Sequence, residues 1–122
     1  MVMLKSSDGL IDFPVSVPKE MGGKGYATNL EQLFAAGYAA CFENAVIHLG
    51  RQKKVNVGNT SVDATVSIFP NSQGGFSLAV ELSVGLPDMN PNQAQALIEE
   101  AHKVCPYSNA TRGNIQVDLK LK

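Results

Sequence analysis

The sequence predicts an α+β fold. Its strand-like segments alternate apolar and polar residues, its two long helical stretches carry apolar residues at i, i+3, i+4 spacing, and the order β-α-β-β-α-(α)-β lacks the alternation of a parallel doubly wound sheet. A chain of 122 residues, 44% hydrophobic and free of low-complexity tracts, suits one globular domain spanning residues 1–122.

Each element has its own warrant. Leu10–Val15 reads as a short strand that Pro14 confines to a sheet edge. Pro18–Gly25 is a loop; its Gly22-Gly23-Lys24-Gly25 lacks the spacing of a phosphate-binding loop. Thr28 and Glu31 have the spacing of a capping box and open a helix over Asn29–Leu49, with Gly50 as its stop. Ala35, Ala36, Gly37, Ala39 and Ala40 give that helix a small-residue surface that another helix can approach closely. Ser61–Phe69 and Phe76–Val84 alternate as strands joined by a hairpin loop over Pro70–Gly75. Asn90 as N-cap and Pro91 in the first turn start a second helix, with Ala94, Leu97, Ile98, Ala101 and Val104 or Cys105 on its apolar stripe. Pro106 ends it, a short helical turn covers Pro106–Thr111, and Ile115–Leu121 is a last strand.

Composition excludes several partners. The net charge is −1, and the longest basic cluster, Arg51-Gln52-Lys53-Lys54, falls at a helix end where cations complement the dipole. Nucleic acid and membrane surfaces are not expected partners. The N-terminal residues lack the apolar run of a secretory signal, so a cytoplasmic location is expected, and the Asn-x-Ser/Thr matches at Asn59 and Asn109 carry no weight there.

The chemistry lies in the two cysteines, Cys41 and Cys105. In a reducing compartment a disulfide between them would be transient rather than structural. Cys105 precedes Pro106 as an N-cap precedes the first helical residue, so local physics makes it the more reactive thiol. Cys41 lies mid-helix, where the simpler reading is a core residue, and burial would raise its pKa unless the fold brings in a cation. His48 and His102 could join the cysteines around a metal, but no C-x-x-C or H-x-x-x-H unit is present and ordinary histidines explain them as well.

Two longer motifs surround these thiols. The stretch from Pro18 through Glu31 to Cys41-Phe42, and Val104-Cys105-Pro106-Tyr107-Ser108-Asn109-Ala110-Thr111-Arg112-Gly113-Asn114, closely resemble the organic hydroperoxide resistance branch of the osmotically inducible protein C family. Lys5-Ser6-Ser7-Asp8-Gly9 resembles the family's early hairpin. The resemblance implies small antiparallel sheets around two long helices in an intertwined homodimer. It implies a thiol peroxidase without cofactor or metal. Cys41 would attack the O–O bond of an organic or fatty-acyl hydroperoxide, and Cys105 would resolve the resulting sulfenic acid to a disulfide. A dihydrolipoyl-bearing protein would be the reductant, and Glu31 would orient an arginine beside the thiolate. This assignment reverses the local ranking of the two thiols.

Glu31 and Cys41 are ten residues apart, about 15 Å along a straight helix. An active site shared across a homodimer would reconcile that distance with a common role. Phe34, Tyr38, Phe42 and Tyr107 would form a greasy substrate surface, although each is also a natural core residue. The sequence departs from the family pattern at its start: the arginine that the resemblance places before the Ser6–Gly9 turn has no counterpart, and neither Arg51 nor Arg112 matches it. Loss of such an ion pair raises a thiol pKa by about one to three units, and one sheet edge would lose its cover. Lys24 is the cation to consider in its place, against the plainer reading of a solvated loop residue. Two other readings remain at this point: a low-activity binding or redox-sensing module, and a structural domain with inert cysteines.

Overall fold

A computed structural model describes residues 2–122. The chain divides into two compact units, Met1–Phe34 and Ala35–Lys122. In the first, β1 (Val2–Lys5) and β2 (Asp12–Val15) form an antiparallel hairpin, with Val2 opposite Val15 and Lys5 opposite Asp12. The Ser6–Gly9 turn is tied by Ser6 and Asp8: Ser6 Oγ donates to Asp8 Oδ1 at 2.6 Å, and Asp8 Oδ1 also accepts from the Leu10 N–H. The same hydroxyl oxygen accepts from Ile11 N–H, closing the hairpin.

Helix α1 (Leu30–Gln52) begins in this unit and continues into the second. Its N-cap is Asn29, whose Oδ1 accepts from the Gln32 N–H at 2.8 Å, while Thr28 Oγ1 donates to Gln32 Oε1. The cap expected from Thr28 and Glu31 therefore sits one residue later, on Asn29, with Gln32 tied back to the Thr28 hydroxyl in place of a reciprocal capping box. The far end also differs from expectation, since α1 runs through Gly50 to Gln52. Lys54 takes the left-handed conformation at φ 57°. Val55 N–H donates to Gly50 O at 2.8 Å and Lys54 N–H to Arg51 O at 3.2 Å, the two bonds of a Schellman motif. Gly50 serves another purpose: a Cβ there would lie 2.7 Å from Val57 Cγ1, so glycine lets the returning chain lie against the helix.

The second unit is built on a three-stranded sheet in the order β3-β4-β5, formed by β3 (Ser61–Pro70), β4 (Phe76–Gly85) and β5 (Gln116–Leu121). β3 and β4 are antiparallel, joined by a loop in which Asn71 Oδ1 accepts from the N–H groups of Gln73 and Gly75. β4 and β5 are parallel, Val80 facing Val117 and Leu82 facing Leu119. The α+β class holds, but this sheet is mixed rather than antiparallel. The reason is the connection: α2 (Pro91–Val104) and α3 (Pro106–Thr111) carry the chain back before β5, and a parallel neighbour requires such a crossover. Asn90 caps α2 through its Oδ1 and the Asn92 N–H, with Pro91 in the first turn as the sequence predicts.

The core draws Val80, Leu82 and Val84 from the central strand, Leu97, Ile98 and Ala101 from α2, and Tyr38, Phe42, Val46 and Leu49 from α1. Each large side chain buried here contributes about 1.5–3 kcal/mol. The core absorbs the later part of the α1 stripe and most of that of α2, where Cys105 rather than Val104 is the buried last member, while Leu30 at the start of α1 stays 65% exposed.

Candidate functional site

Tyr38, Cys41 and Phe42 occupy successive turns of one face of α1, at the i, i+3, i+4 positions. Cys105 is placed by its proline. Pro106 disfavours helical ψ at the preceding residue, and Cys105 has ψ 123°, ending α2 and opening α3 at the same point. Its N–H donates to Ala101 O at 2.8 Å and its carbonyl accepts from Asn109 N–H at 3.0 Å, so both helices are anchored through this residue.

The fold brings the thiols, 64 positions apart, into contact. Cys105 Sγ lies 3.3 Å from Cys41 Sγ, both in the free thiol form. Their surroundings differ. Cys105 is 0% exposed, whereas Cys41 is partly open. Burial pushes the Cys41 thiol above the ordinary range, and the Cys105 thiol adds to the rise. The backbone N–H of Tyr107 opposes them by donating a hydrogen bond that favours the thiolate. The rise that the sequence leads one to expect for a buried Cys41 is thus present. The N–H donor from α3 serves Cys41, while the Cys105 side chain makes no capping bond to that helix. Nothing in the Cys41 segment itself signals this donor, because it comes from 66 positions further along the chain.

Beside the thiols runs a polar cluster in which Tyr38, Ser108 and Thr111 are buried and His102 is half-buried. Tyr38 Oη and Ser108 Oγ are 2.7 Å apart, Ser108 Oγ and His102 Nδ1 are 2.8 Å apart, and Thr111 Oγ1 is 3.3 Å from Tyr38 Oη. The Arg112 guanidinium donates to Asn109 Oδ1 and, at 2.6 Å, to His102 O. Burial, then the Arg112 charge, holds His102 below its ordinary pKa. Among the described residues, no three His, Cys, Asp or Glu side chains gather into a metal-ligating group. His48 is exposed on α1.

The four aromatic residues of the expected substrate surface fall into two pairs. Tyr107 is 42% exposed and packs edge-on to Tyr38, with ring centroids 5.8 Å apart. Its ring also covers Gly37, where a Cβ would lie 3.2 Å from Tyr107 Cε2 and Oη. Phe34 is half-buried in the first unit. Tyr38 and Phe42 are wholly buried and present no surface to a ligand. Glu31, in the first unit, has a buried Oε2 without a hydrogen-bond partner among the described residues. Because capping falls to Asn29, this carboxylate is not used to start the helix. Ser108 and His102 are the site residues that the sequence reading missed in this role; the Cys-Pro-Tyr-Ser spacing, which puts Ser108 one helical turn past Cys105, is the signal that could have found Ser108.

Comparison with known proteins adds an independent line. Residues 22–120 match the model of the family described as OsmC-like protein. The chain is 50% identical over 118 residues to an organic hydroperoxide resistance protein of Xanthomonas axonopodis pv. citri, covering 95% of this chain and 82% of that relative. It is 42% identical over 120 residues to the organic hydroperoxide resistance protein OhrB of Bacillus subtilis, covering 98% and 88%. Among solved structures, an organic hydroperoxide resistance protein from Legionella pneumophila superposes with a TM-score of 0.94 at 46% identity, over 97% of this chain and 86% of that one. A Vibrio cholerae organic hydroperoxide resistance protein, crystallised with captopril in one of its active sites, superposes with a TM-score of 0.93 at 51% identity, over 98% and 82%.

Proposed function

The chain belongs to the OsmC-like family, in its organic hydroperoxide resistance branch, and from that premise we propose that it is a cysteine-based organic hydroperoxide reductase. The observation that carries the proposal is the pair of free thiols 3.3 Å apart with unequal access to solvent. Cys41, the open one, attacks the O–O bond of the hydroperoxide. The sulfur takes one oxygen as a sulfenic acid, and the electron pair leaves with the other oxygen, which is protonated to an alcohol. The buried Cys105 thiol then attacks the Cys41 sulfur; a disulfide forms and the hydroxyl leaves as water with the thiol proton. A dihydrolipoyl group reduces the disulfide by thiol exchange.

The exposed ring of Tyr107 supplies apolar surface for an alkyl or fatty-acyl chain, with the buried Tyr38 packed edge-on behind it. The orphan carboxylate oxygen of Glu31 calls for a cationic donor. Such a charge brought beside Cys41 offsets the burial that raises its pKa. Lys24 is one candidate on this chain; the Arg112 guanidinium is already engaged. The working unit is a homodimer, whose second copy supplies the acidic group that a straight helix keeps about 15 Å from the thiol. The first unit leaves Leu10 87%, Tyr26 80% and Met3 67% exposed, apolar surface that a second copy would cover. A reducing cytoplasm, where dihydrolipoyl carriers regenerate the thiols, completes the reading. No helix among the described residues is long and apolar enough to cross a membrane.

One observation favours a second reading. The raised pKa of Cys41 suits a slow redox-sensing module that oxidises once and is not rapidly recycled. Steady-state turnover of cumene hydroperoxide and of hydrogen peroxide, each with dihydrolipoamide as reductant, separates the two. The expected outcome is sustained turnover with a clear preference for cumene hydroperoxide. A single stoichiometric oxidation without recycling supports the sensing module, and thiols that stay intact with either peroxide exclude both.

A further inference from the structure

Ser108 is fully buried, and its hydroxyl is the junction of the polar cluster, 2.7 Å from Tyr38 Oη and 2.8 Å from His102 Nδ1. A hydroxyl has one proton to give and lone pairs to accept with. The Ser108 hydroxyl can therefore bridge both neighbours at once, accepting from one and donating to the other, with the sense of the chain set by the His102 tautomer. The ring arrangement is supported by Phe42, whose ring centroid is 6.5 Å from that of His102.

The members are spaced by the thiols. Tyr38 is three residues before Cys41 on α1, His102 three before Cys105 on α2, and Ser108 three after Cys105 on α3. Two hydrogen bonds therefore tie the chain on both sides of Cys105 to the turn that precedes Cys41. Arg112 secures the same place by donating to the His102 carbonyl. Burying the Tyr38 and Ser108 hydroxyls is costly unless each is satisfied, and this cluster satisfies them where α2 meets α3, with the half-buried His102 at its outer end.

We propose that the Tyr38–Ser108–His102 hydrogen-bond chain is a positioning device for the second oxidation step, holding Cys105 against Cys41 so that disulfide formation outruns a second attack by peroxide. The inference rests on the thiol assignments above. The sulfurs must close from 3.3 Å to about 2.05 Å to form the bond, and small errors of placement slow such a step steeply. The Cys41 sulfenic acid has two fates. Attack by Cys105 gives a disulfide and water. Attack on a second hydroperoxide gives a sulfinic acid and another alcohol. Because both begin from the same intermediate, their ratio is independent of how fast the first oxidation runs.

The test is intact-protein mass spectrometry of the disulfide and sulfinic products across a series of cumene hydroperoxide excesses. Ser108→Ala raises the sulfinic-to-disulfide ratio about tenfold and Tyr38→Phe about threefold. Ile98→Val, a core variant of α2 that lowers the melting temperature and removes none of the cluster's hydrogen-bonding groups, leaves the ratio at the wild-type value. If Ser108→Ala fails to fold, Tyr38→Phe alone decides, since it keeps the buried ring. Unmoved ratios in the folded variants overturn the inference while leaving the thiol assignments standing. A matching rise in Ile98→Val also overturns it, by assigning the effect to general loosening. A wild-type protein that forms no disulfide overturns the thiol assignments themselves.

Discussion

Cys41 and Cys105 are in contact and yet have opposite surroundings. Cys41 is partly open, stands on a long continuous helix and receives one backbone N–H bond. Cys105 is closed to solvent and fixed at a break between two helices, with both of its main-chain polar groups hydrogen-bonded. A thiol that meets an outside reagent needs access, whereas one that meets only its neighbour needs a fixed position. On the proposed assignment the difference in burial separates two chemical tasks, which the local sequence, with one cysteine beside a proline and one inside a helix, ranks the other way.

Removal of either sulfur breaks that comparison most directly. Cys41→Ser is expected to abolish peroxide consumption, a loss of about 10³-fold or more, with Cys105 left unoxidised because it is closed to solvent. Stopped-flow peroxide consumption with a free-thiol count checks both parts. Rapid oxidation of Cys105 in this variant would reverse the two roles. Cys105→Ser has the next largest effect. Its first oxidation proceeds within about twofold of wild type, but the sulfenic acid persists and drains to the sulfinic form, so turnover stops after roughly one cycle. Trapping with a sulfenic-acid reagent, followed by mass analysis, reads this outcome.

The pH dependence sharpens the contrast from another side. Burial holds the Cys41 pKa above the ordinary thiol range, so only a small fraction is thiolate near neutrality. The thiolate fraction grows with pH below the pKa, and the oxidation rate is expected to climb about tenfold per unit between pH 6 and pH 8. Single-turnover oxidation by cumene hydroperoxide across that range gives the slope. A flat profile would show that a cation already holds Cys41 ionised, and would make the partner of Glu31 the next group to locate.

Much of this molecule can be read from the order of its residues, because the governing interactions are local. Asn90-Pro91 starts α2, Pro106 separates α2 from α3, and alternation marks β3 and β4, all within a few residues of the signal. Reading fails where distant chain meets the element. Gly50 looks like a helix stop because glycine commonly fills that place, but Lys54 fills it and Gly50 makes room for Val57. Thr28 and Glu31 have capping-box spacing, yet Asn29 is the acceptor, a choice between adjacent caps that is local rather than distant. The parallel pairing of β5 with β4 depends on the path of a crossover that no strand pattern records. At the site, the cysteines and Tyr107 stand out through the motifs that carry the family resemblance. The Tyr107 N–H donor and the Ser108 junction do not, because both depend on α3 meeting α1.

A smaller change bears on the access of Cys41 alone. In Gly37→Ala the new Cβ meets the Tyr107 ring at 3.2 Å, so the ring must give by a few tenths of an ångström. Alanine within a helix gains about 0.5–1 kcal/mol over glycine, which offsets the contact. The melting temperature is expected to stay near wild type while kcat/KM for cumene hydroperoxide falls about two- to fivefold. An unchanged kcat/KM would remove the Tyr107 ring from the substrate surface.

The smallest effect comes from the other end of α1 and acts as the control for all the others. Lys54 holds a left-handed conformation at φ 57°, a backbone that costs an ordinary side chain about 1–2 kcal/mol and glycine almost nothing. Lys54→Gly relieves that cost but widens the unfolded ensemble, which takes back about 0.4–1 kcal/mol. The net gain is about 0.5–1 kcal/mol, seen as a rise of a few degrees in melting temperature. Lys54 lies thirteen residues beyond Cys41, past the end of the helix, and the two Schellman bonds at that end come from the backbone alone. The ratio of sulfinic acid to disulfide and the pH slope of Cys41 oxidation should therefore remain those of the wild type. If a more stable α1 changed either one, the unequal behaviour of the thiols would belong to the helix as a whole rather than to the groups packed around each sulfur.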